Sequence, residues 1–220
     1  MAVDKHVNFF ALHKASKESG CPLCRIIADR AERYIDNMLF EHVSDRPFRA
    51  LHRAAGGFCS FHSRNLVSFR DGLAVAILGR DILEERIASF QKKRPWSPKA
   101  LCPICIERDR MEEEYLSFLA ASCGSSPEEN ELRLAFTGSE GLCAPHYSKL
   151  LFTPKGKSRS VAQWLREFHE AKFRELKKRV DQFIELSAYG RQGEFAALSQ
   201  RDQLVWKELA LVLRGADGTE

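Results

Sequence analysis

Cys102-Pro103-Ile104-Cys105-Ile106-Glu107-Arg108-Asp109-Arg110-Met111-Glu112-Glu113-Glu114-Tyr115-Leu116-Ser117-Phe118-Leu119 opens with a close pair of thiols and continues without glycine or proline. Two cysteines separated by two residues can bring both sulfurs to one ion, and the proline between them suits the tight turn required. The residues that follow read as a helix launched by this knuckle. The same phrase stands upstream as Cys21-Pro22-Leu23-Cys24, where Ile27, Ala31, Tyr34, Ile35 and Met38 recur at helical spacing. Some forty residues after each knuckle comes a second pair, Cys59-Ser60-Phe61-His62 and Cys143-Ala144-Pro145-His146. Residues three apart share a helix face, so each of these pairs can also reach one ion.

Taken in chain order, each knuckle is answered by the CxxH pair that follows it. Cys21, Cys24, Cys59 and His62 are then one shell, and Cys102, Cys105, Cys143 and His146 the other. Three thiolates and an imidazole make a complete tetrahedral set for Zn2+, and two such sites are expected. Each knuckle opens a helix, whose free N–H groups and dipole favour deprotonated sulfur. A filled site carries a net charge of about −1; Arg25 and Arg64 are candidates to offset it in the first shell, Lys149 and Arg108 in the second. An iron–sulfur cluster with one histidine ligand is the alternative cofactor, and recurrent buried free cysteines the bland reading. Haem attachment is disfavoured because Arg25 and Ile106, not histidine, follow the knuckles. A thioredoxin-like pair is disfavoured because no βαβ pattern surrounds either CxxC.

The repeat extends beyond the ligands. Placing Cys24 on Cys105 also places Glu32 on Glu113, Tyr34 on Tyr115, Ile35 on Leu116 and Met38 on Leu119. Placing His62 on His146 pairs Gly57 with Gly141, Phe58 with Leu142 and Leu66 with Leu150. The knuckles are offset by 81 residues and the CxxH pairs by 84, which puts a three-residue insertion in a loop around Gly124–Gly138. Three segments follow: residues 1–94 with the first repeat behind an N-terminal leader, 95–190 with the second, and 191–220 with a C-terminal helix and tail.

Further helices are expected over Phe48–Ala55, ended by Gly56-Gly57, and over Leu73–Gln91, with Ala74, Ile77, Leu78, Ile82, Leu83 and Ile87 as its apolar stripe. A long helix, Val161–Ala188, has Trp164, Leu165, Phe168, Phe173, Leu176, Val180, Phe183 and Ile184 as its buried side. Gly190–Gly193 reads as a break, and Leu198–Leu213 as a final helix. No stretch alternates apolar and polar residues, so the fold class is all-α.

Composition sets the class of molecule. With 44% hydrophobic and 29% charged residues the chain reads as soluble and globular. No secretory h-region or transit peptide is visible at its start, and its longest apolar run, Leu73–Leu78, is far too short to span a bilayer. A cytoplasmic location and metal-bound cysteines are the matching expectations. The net charge of +4 is too even to imply nucleic acid. Basic clusters at Gln91–Lys99, Lys155–Arg159 and Lys172–Arg179 could touch phosphate, but Glu167, Glu170, Glu175 and Asp181 interleave with the last, and nucleic-acid binding is disfavoured. No GxxxxGK[ST], GxGxxG, GxSxG or HExxH is present, and an enzyme is disfavoured. Cys123 and the histidines His6, His13, His42, His52 and His169 have no companion at ligand spacing and read as packing or surface residues.

CPLCRIIADRAERYIDNMLFEHVSDRPFR, GGFCSFHSRNL, GLAVAILGRDIL, CPICIERDRMEEEYLSFL and GLCAPHYSKLL, across roughly residues 20–152, resemble an uncharacterised bacterial family of tandem CPxC and GFCxxH proteins, filed as a domain of unknown function. The resemblance implies an all-helical protein with the eight residues above as presumed ligands, and implies no activity. Filled ligand sets without catalytic motifs point to structural zinc in a module that meets a protein partner. A redox- or metal-responsive regulator using the zinc–thiolate sites is the alternative.

Overall fold

Four of the helices begin at a ligand cysteine, and this fixes how the chain is laid out. The computed structural model describes residues 7–92, 95–122, 131–152, 159–188 and 190–215, and among these there is no strand. The all-α expectation therefore holds. The elements are α1 (Val7–Ala15), α2 (Pro22–Asn37), a π-helical turn (Met38–His42), α3 (Arg46–Ala55), α4 (Ser60–Ser68), α5 (Gly72–Gln91), α6 (Pro103–Ser122), α7 (Glu131–Thr137), α8 (Ala144–Phe152), α9 (Arg159–Leu186), α10 (Gln192–Ala196), α11 (Gln200–Gln203) and α12 (Val205–Arg214).

The chain forms two compact units, and these are not the two repeats. One unit takes the described residues of Ile27–Glu112; the other takes those of Met1–Ile26 and Glu113–Asp217. Helix α2 thus leaves its knuckle in one unit and runs on in the other, and α6 does the reverse.

In the Ile27–Glu112 unit, Ile35, Met38, Leu39, Val43, Phe48, Leu66, Ala74, Leu78, Cys102 and Ile104 form one buried cluster. The polar anchor is Asp81, only 4% exposed, which accepts from Arg49 Nε at 2.8 Å and from Arg53 at 3.3 Å. It ties α3 to α5. Gly56, at φ 69°, ends α3 in the left-handed conformation that glycine adopts without penalty. Trp96 lies directly over it, with Arg86 stacked 3.5 Å from the indole centroid. Beside them the Lys99 N–H donates to the Ala54 carbonyl at 2.7 Å. Residues 95–99 are therefore a strap pinned to the end of α3.

In the other unit, α1 packs on α7, and α12 packs on α8 and α9. The buried residues include Leu12, Leu23, Tyr115, Leu119, Leu132, Phe136, Leu142, Leu150 and Leu165. Arg179 holds the C-terminal helices to α9 through Asp202 at 2.6 Å and Glu208 at 2.8 Å.

Several expectations need correction. The loop around Gly124–Gly138 contains α7, because Leu132 and Phe136 supply a buried face; residues 123–130, with Cys123, lie outside the described residues. The final helix is not continuous: Ser199 caps α11, and Leu204 at φ −105° separates it from α12. The break at Gly190–Gly193 leads into a short helix, α10. Leu83 and Ile87 on α5 and Ile184 on α9 are more than half exposed, whereas the polar Asp81 and His169 on the same helices are buried.

Candidate metal centres

Each cluster is built from two helix N-termini. The carbonyls of Cys21, Cys59, Cys102 and Cys143 accept the first helical hydrogen bonds, from Arg25, Ser63, Ile106 and Tyr147 at 2.8 to 3.3 Å. Each of these cysteines is therefore the residue that starts its helix, and Pro22 and Pro103 occupy the first helical position, where a missing N–H costs nothing. The second ligand of each pair lies one turn along on the same face.

The eight residues converge as two sets of four, with exchanged partners. Cys21, Cys24, Cys143 and His146 form one cluster and Cys59, His62, Cys102 and Cys105 the other, the ligand atoms of each lying within 4.8 Å of one another. Each set lies within a single unit. The pairing expected from chain order, in which Cys21 and Cys24 meet Cys59 and His62 while Cys102 and Cys105 meet Cys143 and His146, is not the one formed. Ligand spacing alone does not fix the pairing, because α2, the π-helical turn and α3 stand between Cys24 and Cys59, at roughly 1.5 Å of path per helical residue.

Local contacts hold the exchanged pairs in register. The Gly20 N–H donates to Glu140 Oε2 at 2.8 Å, joining the residue before Cys21 to the loop before Cys143. The Lys99–Ala54 bond does the same between the approaches to Cys102 and Cys59.

The distances suit a single ion. Sγ–Sγ separations are 3.7 Å for Cys24–Cys143 and for Cys59–Cys105, far longer than the roughly 2.05 Å of a disulfide. His146 Nδ1 lies 3.1, 3.4 and 3.5 Å from the sulfurs of Cys143, Cys21 and Cys24. His62 Nδ1 lies 3.2, 3.4 and 3.5 Å from those of Cys59, Cys105 and Cys102. A tetrahedron with Zn–S near 2.3 Å and Zn–N near 2.0 Å has S–S edges of about 3.8 Å and S–N edges of about 3.5 Å.

Without an ion the two histidines respond in opposite ways. Burial, helped by the Arg108 charge, lowers the His62 pKa. Burial also disfavours charge on His146, but the sulfurs of Cys143, Cys21 and Cys24 accept from it and its pKa rises. Burial pushes the Cys105 thiol up to about 12. Burial opposes ionisation of Cys59 too, yet the backbone N–H of His62 and its neighbouring thiols stabilise the thiolate, and the net shift is downward. A proton-balanced thiol cluster and a dication compete for the same lone pairs.

Two buried histidines outside the shells support the CxxH loops, and their sequence context gave no sign of it. His169, fully buried, donates from Nδ1 to the Leu165 carbonyl at 2.7 Å and accepts the Leu142 N–H on Nε2 at 3.1 Å. Gly141 lies against it at φ 81°, where a Cβ would come within 3.2 Å of Phe168. His52 packs 4.5 Å from the ring of Phe58, the residue before Cys59. Burial lowers both pKa values to about 4, so both rings are neutral.

Fold and clusters together define an all-helical protein with two Cys3His centres, each able to hold one metal ion. Residues 10–100 match the model of a family described as a family of unknown function (DUF6062), in keeping with the resemblance carried by the motifs. The matched stretch holds half of each cluster. The chain is also 26% identical over 178 residues to a protein described as an uncharacterized 23.9 kDa protein in the xynA 3′ region of Caldicellulosiruptor sp. (strain Rt8B.4), covering 79% of this chain and 85% of that one. No solved structure matches.

Proposed function

We propose that both clusters bind Zn2+ through the eight residues Cys21, Cys24, Cys143, His146 and Cys59, His62, Cys102, Cys105, and that the ions are structural braces in a non-catalytic cytoplasmic module that docks a protein partner. The reading rests on the convergence of four protein ligand atoms in each cluster, enough to fill a tetrahedral zinc site, whereas a catalytic zinc keeps one position for water. Thiolate and imidazole suit Zn2+, and convergence of four ligand atoms on one point favours a single ion over the separated irons of a cluster. The partner reading is supported by α5, where Leu73, Leu83, Ile87 and Phe90 are 74%, 64%, 54% and 75% exposed at helical spacing. No helix among the described residues is long and apolar enough to cross a membrane.

Elemental analysis should return two zinc ions per chain, and stripping them with a strong chelator should abolish most of the helical circular dichroism. Full helicity in the metal-free protein would refute the brace.

A redox-responsive role has one observation in its favour. In the Cys59/His62/Cys102/Cys105 cluster two of the three sulfurs belong to partly exposed residues, against one in the other. Oxidation of exposed zinc thiolates expels the metal. Release of one ion at mild peroxide doses would support this reading, and thiolates intact at high doses would exclude it.

A further inference from the structure

Helix α8, which is launched by Cys143, shows Tyr147, the residue after His146, to a groove of about 460 Å3 completed by Arg166, Glu170, Phe173, Arg174 and Lys177 of α9. Its aromatic floor is packed ring on ring. The Tyr147 ring stacks on His169 at 4.3 Å and 18°, and Phe173 meets it edge-on at 5.9 Å.

The rim is cationic. Arg174 shares the Oε1 atom of Glu170, at 2.6 Å, and Lys177 pairs with Asp181 at 2.6 Å. Arg166 makes no hydrogen bond or ion pair among the described residues. Three cations thus face one carboxylate in the groove, and the unengaged one is a guanidinium, whose planar fork matches two oxygens of a phosphate. A guanidinium and two aromatic rings lining one groove suit a ligand with a phosphate at one end and a flat ring at the other.

We infer that this groove binds a small phosphorylated molecule bearing an aromatic or heterocyclic ring, with Arg166 as the principal phosphate contact, Arg174 and Lys177 assisting, and Tyr147 and Phe173 receiving the ring. The interleaved acids that disfavour a nucleic-acid surface are consistent with it: Glu170 and Asp181 hold Arg174 and Lys177 in place on a short stretch of helix, so the positive field is local.

The test is calorimetric titration of the zinc-loaded protein with phenyl phosphate, inorganic phosphate and phenol. Saturable one-to-one binding of phenyl phosphate, tighter than either component, is expected. Arg166→Ala should weaken it about tenfold or more, as for loss of a charge-assisted bidentate contact. Lys178→Ala, which removes a neighbouring charge outside the groove, should leave it within about twofold. No saturable binding, an Arg166→Ala variant that binds normally, equal loss in both variants, or binding only of a polyanion with steep salt dependence would each overturn the assignment. Metal content is measured on the same samples, so a silent groove in a chain that holds two ions refutes the groove and leaves the metal reading standing.

Discussion

Replacing Gly56 by alanine tests whether the strap over α3 positions a metal ligand. The backbone there has φ 69°, and a Cβ would fall 1.8 to 2.8 Å from three atoms of the Trp96 ring. A left-handed alanine costs about 1 kcal/mol. Trp96 must also swing away, losing its stacking on Arg86, worth about 0.5–1 kcal/mol at such a site. A loss of about 2 kcal/mol follows, or roughly 4–8 °C in Tm for a chain of this size. Lys99 anchors to Ala54 just beyond Trp96, and Cys102 follows three residues on, so the loosened strap should act on one metal site. In chelator competition, the Cys59/His62/Cys102/Cys105 site should release zinc about tenfold more readily, while the Cys21/Cys24/Cys143/His146 site is unchanged. Urea unfolding supplies the stability. Trp96→Ala alone removes the stacking without the strain, so the double variant should lose less than the sum of the singles. Additive losses, or equal weakening of both sites, would refute the reasoning.

Two further perturbations follow. His52 and His169 have folded pKa values of about 4 against about 6.5 when unfolded. Their contribution is fully present above pH 6.5 and is lost as pH falls toward 4, because the unfolded rings take up protons that the buried rings refuse. His52→Phe, which also removes a buried Nδ1 without a hydrogen-bond partner, should therefore be close to neutral at pH 7 and gain on the wild type by up to about 3 kcal/mol toward pH 4; a constant difference across that range in urea titrations would contradict it. Fragments cut between Lys93 and Arg94 each carry half of both clusters. They should bind no zinc tightly alone and associate one-to-one on adding it, with two ions per pair by size exclusion and metal analysis; one ion per isolated fragment would refute this.

All eight converging residues were legible in the sequence, because a CxxC or CxxH pair is a local statement: both members sit within one helical turn and must point the same way. Their pairing was not. It depends on where α2 and α6, roughly 24 and 30 Å long at 1.5 Å per residue, deliver the chain, and ligand spacing carries no information about a second knuckle 81 residues away. The all-α class was readable because periodicity without alternation is likewise local. Helix α7 was missed because it is only seven residues long beside glycine and serine, and its stability comes from burying Leu132 and Phe136. The roles of His52 and His169 escaped notice because neither has a partner close in sequence: one packs on Phe58, and the other bonds Leu142 from 27 residues away.

The exchanged pairing is tested most directly by counting metal in two double variants. Cys24→Ser/Cys143→Ser removes two sulfurs from one cluster, and Cys24→Ser/Cys59→Ser removes one from each. The structure predicts one tightly bound zinc per chain in the first and none in the second. None in the first and one in the second would mean that each knuckle closes on the CxxH pair that follows it, and would contradict the account.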